Sequence, residues 1–278
     1  MMLLVACRFL ITFEKNYASL TNLYFIVSVV FSIFLDISLL NSGFDIVNRI
    51  SPIGQGGANA FAASLAIVCL LRLSIYDEFS SSSNRFAIFI GLPIIIFTIV
   101  GTFSRGAMVG FIVGLLVILR QRITFSYLPK IMNILIILLI LFQIFGTTWL
   151  TIFSRYSASN FFDSSGRNVI FGNALNAFYN NPFLGAGFGA KLNPFTSGEA
   201  SAHNVFLQAL GETGLLGILI LLISIGFAMF RYKPKISTPS LLCLFMVSLT
   251  DNHFLAVQFH FVLGLLYLFL LQDRKLRS

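Results

Sequence analysis

The chain has 278 residues, 57% of them hydrophobic and only 10% charged, with a mean hydropathy of +0.91. A soluble domain carries about 25% charged residues, so a water-facing globular surface is excluded. The formal charge of +8 comes mostly from lysines and arginines in short segments between apolar runs. With no basic aromatic patch and no nucleic-acid motif, that charge points to membrane topology rather than to DNA or RNA.

In chain order, residues 1–13 form a short apolar start interrupted by Arg8, with no charged leader and therefore a poor signal peptide. Eight apolar runs follow, at 23–40, 58–73, 86–102, 106–119, 131–150, 215–230, 240–257 and 259–271. A spanning helix takes about 20 apolar residues, because its backbone must satisfy itself inside hydrocarbon. The expected fold is therefore an all-α integral membrane protein with about eight transmembrane helices. The fourth, seventh and eighth runs are short enough to be broken, tilted or partly inserted. Residues 101–106 read as a hinge between two helices.

Basic residues gather at Arg8 and Lys15, at Arg72 and Arg85, from Arg120 to Lys130, from Arg231 to Lys235 and from Arg274 to Arg277. The opposite side holds only Arg49, Arg105, Arg155, Arg167 and Lys191. The positive-inside rule then puts both termini in the cytoplasm and the long segment 151–214 outside. The whole chain, 1–278, reads as one polytopic domain with 151–214 as its large external loop. Within that loop Phe171, Ala174, Leu175 and Phe178 recur at helical spacing, one turn after Arg167. This predicts a short amphipathic helix, capped by Ser164 or Ser165, ended by Asn181-Pro182 and lying on the membrane or the bundle. A second helix is predicted to start near His203-Asn204 and run toward the sixth apolar run.

The outer basic residues are the candidates for chemistry. Arg105, in Ser104-Arg105-Gly106, suits a bidentate grip on phosphate, although an interfacial arginine also snorkels to water for purely structural reasons. Arg167 opens the external helix and has the same two readings, as do Arg49, Arg155 and Lys191. His203 precedes a helix start. That position disfavours imidazolium and leaves a neutral ring able to accept a proton, or simply to cap a loop. The glycine-rich run from Pro182 to Gly189 is either a structural turn or a place where amides approach phosphate. Asp36 and Asp251 are carboxylates near outer helix ends. His253 and His260 with Asp251 or Glu199 have no metal-site spacing. The three cysteines, Cys7, Cys69 and Cys243, lie in apolar stretches and read as small hydrophobes.

Read together, R-N-V-I-F-G-N-A-L-N-A-F from Arg167, N-P-F-L-G-A-G-F-G from Asn181 and H-N-V-F-L-Q-A-L-G-E-T-G-L-L-G from His203 resemble the core of the bacterial O-antigen ligase and O-antigen polymerase superfamily. Ser104-Arg105-Gly106 is similar to that family's S-R-G hinge, and Arg49 with Gly54, Gly57 and Asn59 to its R…G…N segment.

The resemblance implies a GT-C-like glycosyltransferase in the inner membrane of a Gram-negative bacterium. It would move a glycan from undecaprenyl pyrophosphate to an acceptor hydroxyl at the periplasmic face, with inversion and with no metal, cofactor or nucleotide sugar. The acceptor is lipid A-core in a ligase and a growing repeat chain in a polymerase. Arg105 and Arg167 would stabilise the pyrophosphate leaving group and His203 would act as the base. Arg49, Asn204, Gly185 and Gly187 would bind substrate. Relatives commonly carry ten to twelve spans, so further spans before Met1 are expected. The rival readings are a transporter or flippase for lipid-linked sugars and an inactive truncated remnant. A transporter would place charge in mid-membrane.

Overall fold

The computed structural model describes residues 17–42, 57–75, 82–102, 104–122, 167–190, 192, 204–232, 236–249 and 266. Among these residues the chain forms seven helices and no strand. They are α1 (Tyr17–Ser42), α2 (Gly57–Ser74), α3 (Ser82–Gly101), α4 (Arg105–Arg122), α5 (Arg167–Asn180), α6 (Val205–Tyr232) and α7 (Thr238–Ser248). Six of them coincide with the first four, the sixth and the seventh expected spans. The fifth and eighth lie outside the described residues, apart from Leu266. Ser19–Ile37 in α1 and Val205–Phe227 in α6 are long and apolar enough to cross a membrane, and Ala58–Ser74, Ile88–Gly101 and Thr238–Ser248 are shorter apolar helices.

α1 has the inside-out pattern of a helix in lipid. Its exposed positions include Leu23, Val27, Val30 and Phe34, whereas Thr21, Ser28, Ser32 and Asp36 are buried with Phe25. In water the apolar stripe faces the core. In hydrocarbon, small and hydroxyl residues mediate helix contacts while large apolar ones meet lipid. α2 is buried almost all round, as its run from Ala58 to Leu71 shows, and forms the centre of the bundle.

Side-chain contacts fix the helix directions. α1 and α2 are antiparallel, since Arg72 Nε donates to Asn22 Oδ1 at 3.0 Å near one end and Phe31 packs edge-on against Phe61 further along. α1 and α3 are parallel: Gly91 lies beside Phe25 and Val29, and Thr98 beside Asp36. α4 and α7 are antiparallel, with Gly110 against Cys243 and Gly114 against Pro239. A Cβ on Gly110 would meet the Cys243 carbonyl at 2.9 Å, and one on Gly114 would meet the Pro239 carbonyl at 2.8 Å. This four-residue spacing of glycines is the small-residue packing that lets membrane helices approach closely.

Arg72, counted on the cytoplasmic side, stands in the last turn of α2, wholly buried and bonded to α1. One expectation needs correction. The buried stripe of α5 is Ile170 and Ala174, with Ala177 packed beside them, rather than Phe171, Ala174, Leu175 and Phe178; Leu175 is exposed. The helix faces α6, not open membrane, and its small alanines are chosen by a close neighbour. Cys69 and Cys243 are buried and unlinked.

Candidate functional site

The S-R-G hinge is built from the end of α3. Thr102 closes that helix: its N–H donates to the Thr98 carbonyl at 3.0 Å, and its hydroxyl donates to the Ile99 carbonyl at 2.6 Å. The same hydroxyl oxygen accepts from the Ser104 N–H at 3.3 Å. Ser104 is buried, and its carbonyl starts α4 by accepting from the Met108 N–H. Arg105, half-buried, is thereby held as the first residue of α4. One turn below the hinge, Thr98 Oγ1 lies 3.0 Å from both carboxylate oxygens of the buried Asp36. A ladder of buried polar groups thus runs from α1 up to Arg105.

The α4–α7 register carries Arg105 to α7. Continuing from Gly110 beside Cys243 and Gly114 beside Pro239, Arg105 stands level with Ser248, the last residue of α7. The next carbonyl, that of Leu249, accepts from Asn204 Nδ2 at 3.0 Å. Asn204 Oδ1 accepts from the N–H groups of Phe206 and Leu207, each at 3.0 Å, which makes Asn204 the N-cap of α6. Both ends of its amide are engaged within the protein, and Phe206 packs edge-on against Phe245 of α7 beside it.

α5 runs parallel to the first part of α6. Ala174 lies against Gly211, and Ile170 belongs to the cluster that packs on Leu207. Arg167 is the first residue of α5, as Asn204 caps the start of α6. Arg105, Arg167 and Asn204 therefore occupy helix-start positions at one end of the molecule. Arg49, His203, Arg155, Lys191, Glu199, Asp251, His253, His260, Cys7 and the expected serine cap of α5 lie outside the described residues.

The glycine-rich turn has a specific task. α6 is interrupted at Gly214, with φ 63° and ψ −157°. An unbroken helix would carry bonds from the Leu215 N–H to the Gly211 carbonyl and from Leu216 to Glu212. The turn replaces both. Ala186 and Gly187 donate to the carbonyls of Gly211 and Glu212 at 2.8 and 2.9 Å, and Leu215 and Leu216 donate to the carbonyls of Pro182 and Phe183 at 2.8 and 3.2 Å. The Gly185 N–H donates to the Asn181 carbonyl at 2.8 Å. The amides of Gly185 and Gly187, for which the sequence left open a structural turn or a phosphate contact, are thus engaged by protein carbonyls.

Sequence reasoning left Glu212 out of the candidates. It is buried, and its carboxylate accepts from Gln208 Nε2 at 2.7 Å. The available signal was its place in E-T-G-L-L-G, four residues after Gln208.

Among the described residues, the lipid-type burial and the apolar helices are those of an all-α membrane protein. Residues 86–222, from α3 through the hinge, α5 and the turn into α6, match the family described as O-antigen ligase. This segment, just under half of the chain, matches a domain of the O-antigen ligase and polymerase superfamily. Among curated proteins, none matches the chain.

Proposed function

We propose that the protein transfers an O-antigen-type glycan from undecaprenyl pyrophosphate to an acceptor hydroxyl at the periplasmic face of the bacterial inner membrane. The observation that carries this reading is that Arg105 and Arg167 each open a helix, and Asn204 caps another, in the family-matched segment. His203 immediately precedes Asn204 in the chain.

The chemistry follows from the donor. As the anomeric bond breaks, charge grows on a pyrophosphate, and Arg105 and Arg167 stabilise it by charge-assisted, bidentate hydrogen bonds. Arg49 adds a further contact to the donor. Neutral His203 takes the proton of the acceptor hydroxyl as the oxygen attacks the anomeric carbon. A one-step displacement of this kind inverts that carbon. Asn204 orders the start of α6, and so the residue before it, while Gly185 and Gly187 hold the turn that completes the same helix.

Two experiments test the reading. A reporter fused near Asn193 is expected to be active only in its periplasmic form; cytoplasmic activity there overturns the site. In a deletion strain, loss of all capped lipopolysaccharide chains identifies a ligase, retention of a single capped repeat identifies a polymerase, and an unchanged profile rules out both.

A further inference from the structure

The turn at residues 182–189 leaves three large apolar side chains in the open. Phe183 is 72% exposed, Leu184 70% and Phe188 90%. Tyr179, at the end of the helix that leads into the turn, is also exposed. Patches of this kind on a folded surface mark a binding face.

The position of the patch indicates what covers it. Below the break at Gly214, residues 215–230 rise about 24 Å at 1.5 Å per residue, comparable with the roughly 30 Å of a bilayer's hydrocarbon core. Arg231 and Lys233 mark the far end of this stretch. Gly214 therefore stands at the other boundary of the hydrocarbon, and the turn is bonded to it there through Leu215 and Leu216. On that stretch Leu216, Ile220 and Ile223 fall on one helix face, and all three are exposed. The apolar turn is continuous with the lipid-facing side of α6.

We infer that the turn is a membrane anchor, with Phe183, Leu184 and Phe188 seated in the interfacial layer of the bilayer where α6 enters it. Phenylalanine and leucine bury their apolar area at the headgroup–acyl boundary in interfacial segments, and tyrosine concentrates at this depth. The hydroxyl of Tyr179 is suited to the wet side of the same layer. The anchor fixes the height of α5 and of the α6 start above the lipid, whatever reaction occurs there.

The test uses the full chain with Trp149→Phe to remove the native tryptophan and Phe188→Trp as reporter. It is reconstituted in phospholipid vesicles with and without phosphatidylcholine brominated near the top of the acyl chain. The expected result is emission quenched at least twofold by the brominated lipid and little by iodide. Quenching by iodide alone would show a water-exposed turn, and quenching by neither would show a turn covered by protein; either result overturns the inference. Phe183→Trp in the same background serves if Phe188→Trp does not insert.

Discussion

Gly185 and Gly214 interlock backbone to backbone: a Cβ on Gly214 would stand 2.7 Å from the Gly185 nitrogen and 2.6 Å from the Phe183 carbonyl oxygen. A Cβ on Gly185 would stand 2.6 Å from the Glu212 oxygen and the Thr213 nitrogen. Both residues have positive φ, 66° and 63°. Alanine at either position costs of order 1–3 kcal/mol in backbone conformation alone, before the collision with main-chain atoms that cannot swing aside. Gly185→Ala and Gly214→Ala are each expected to lower the thermal unfolding midpoint in detergent. Because the two act on one joint, the double variant should lose less than the sum of the singles. Full additivity would show that the joint is not shared.

Asn204 separates two contributions. Asn204→Ala removes the helix cap and the bond to Leu249, and the cap alone is worth about 1 kcal/mol. Asn204→Asp keeps the accepting oxygen and loses only the amide donor. The expected order of unfolding midpoints is wild type, then Asp, then Ala. An aspartate variant as unstable as alanine would assign the whole effect to the tether.

The glycines of α4 face the carbonyls of α7. Gly110→Leu and Gly114→Leu are expected to force the two helices apart and to reduce the yield of monodisperse protein, whereas Val109→Leu, on an exposed position of the same helix, should be tolerated. Equal behaviour of buried and exposed substitutions on size-exclusion chromatography would argue against this packing.

For the proposed transfer, Arg105→Lys and Arg167→Lys keep the charge but lose the fork. Loss of one charged hydrogen bond costs roughly 1.5–3 kcal/mol, so rates should fall about tenfold or more. His203→Ala should abolish transfer while donor binding persists, and a chelator should change nothing. Loss of donor binding in the histidine variant would move His203 from the acceptor to the donor side of the reaction.

Much of this architecture was legible in the sequence. Apolar run length gave the six helices that coincide with expected spans, Ser104-Arg105-Gly106 the hinge, Asn181-Pro182 the end of α5 and Asn204 the start of α6. What run length could not give was which face of each helix meets a neighbour, because lipid and protein interior are equally apolar. The displaced stripe of α5 is a failure of that kind. The break at Gly214 was hidden for another reason. Gly214 falls between the helix expected from His203-Asn204 and the sixth apolar run, and only the turn, far away in sequence at residues 182–187, shows that the two meet as a joint.

The two missing hydrogen-bond rungs of α6 have a consequence for how the protein is made. An apolar helix is ordinarily complete by itself when it enters a bilayer, since every peptide group finds its partner within the segment. α6 is not, because the partners of Gly211, Glu212, Leu215 and Leu216 belong to the chain that precedes it. The ribosome therefore delivers the splint before the fracture. By the time Gly214 emerges, residues 182–187 have already been synthesised, and in the proposed topology they have already been sent across the membrane. In that topology the joint orders biogenesis: the loop crosses first, and the sixth span sets afterwards against it.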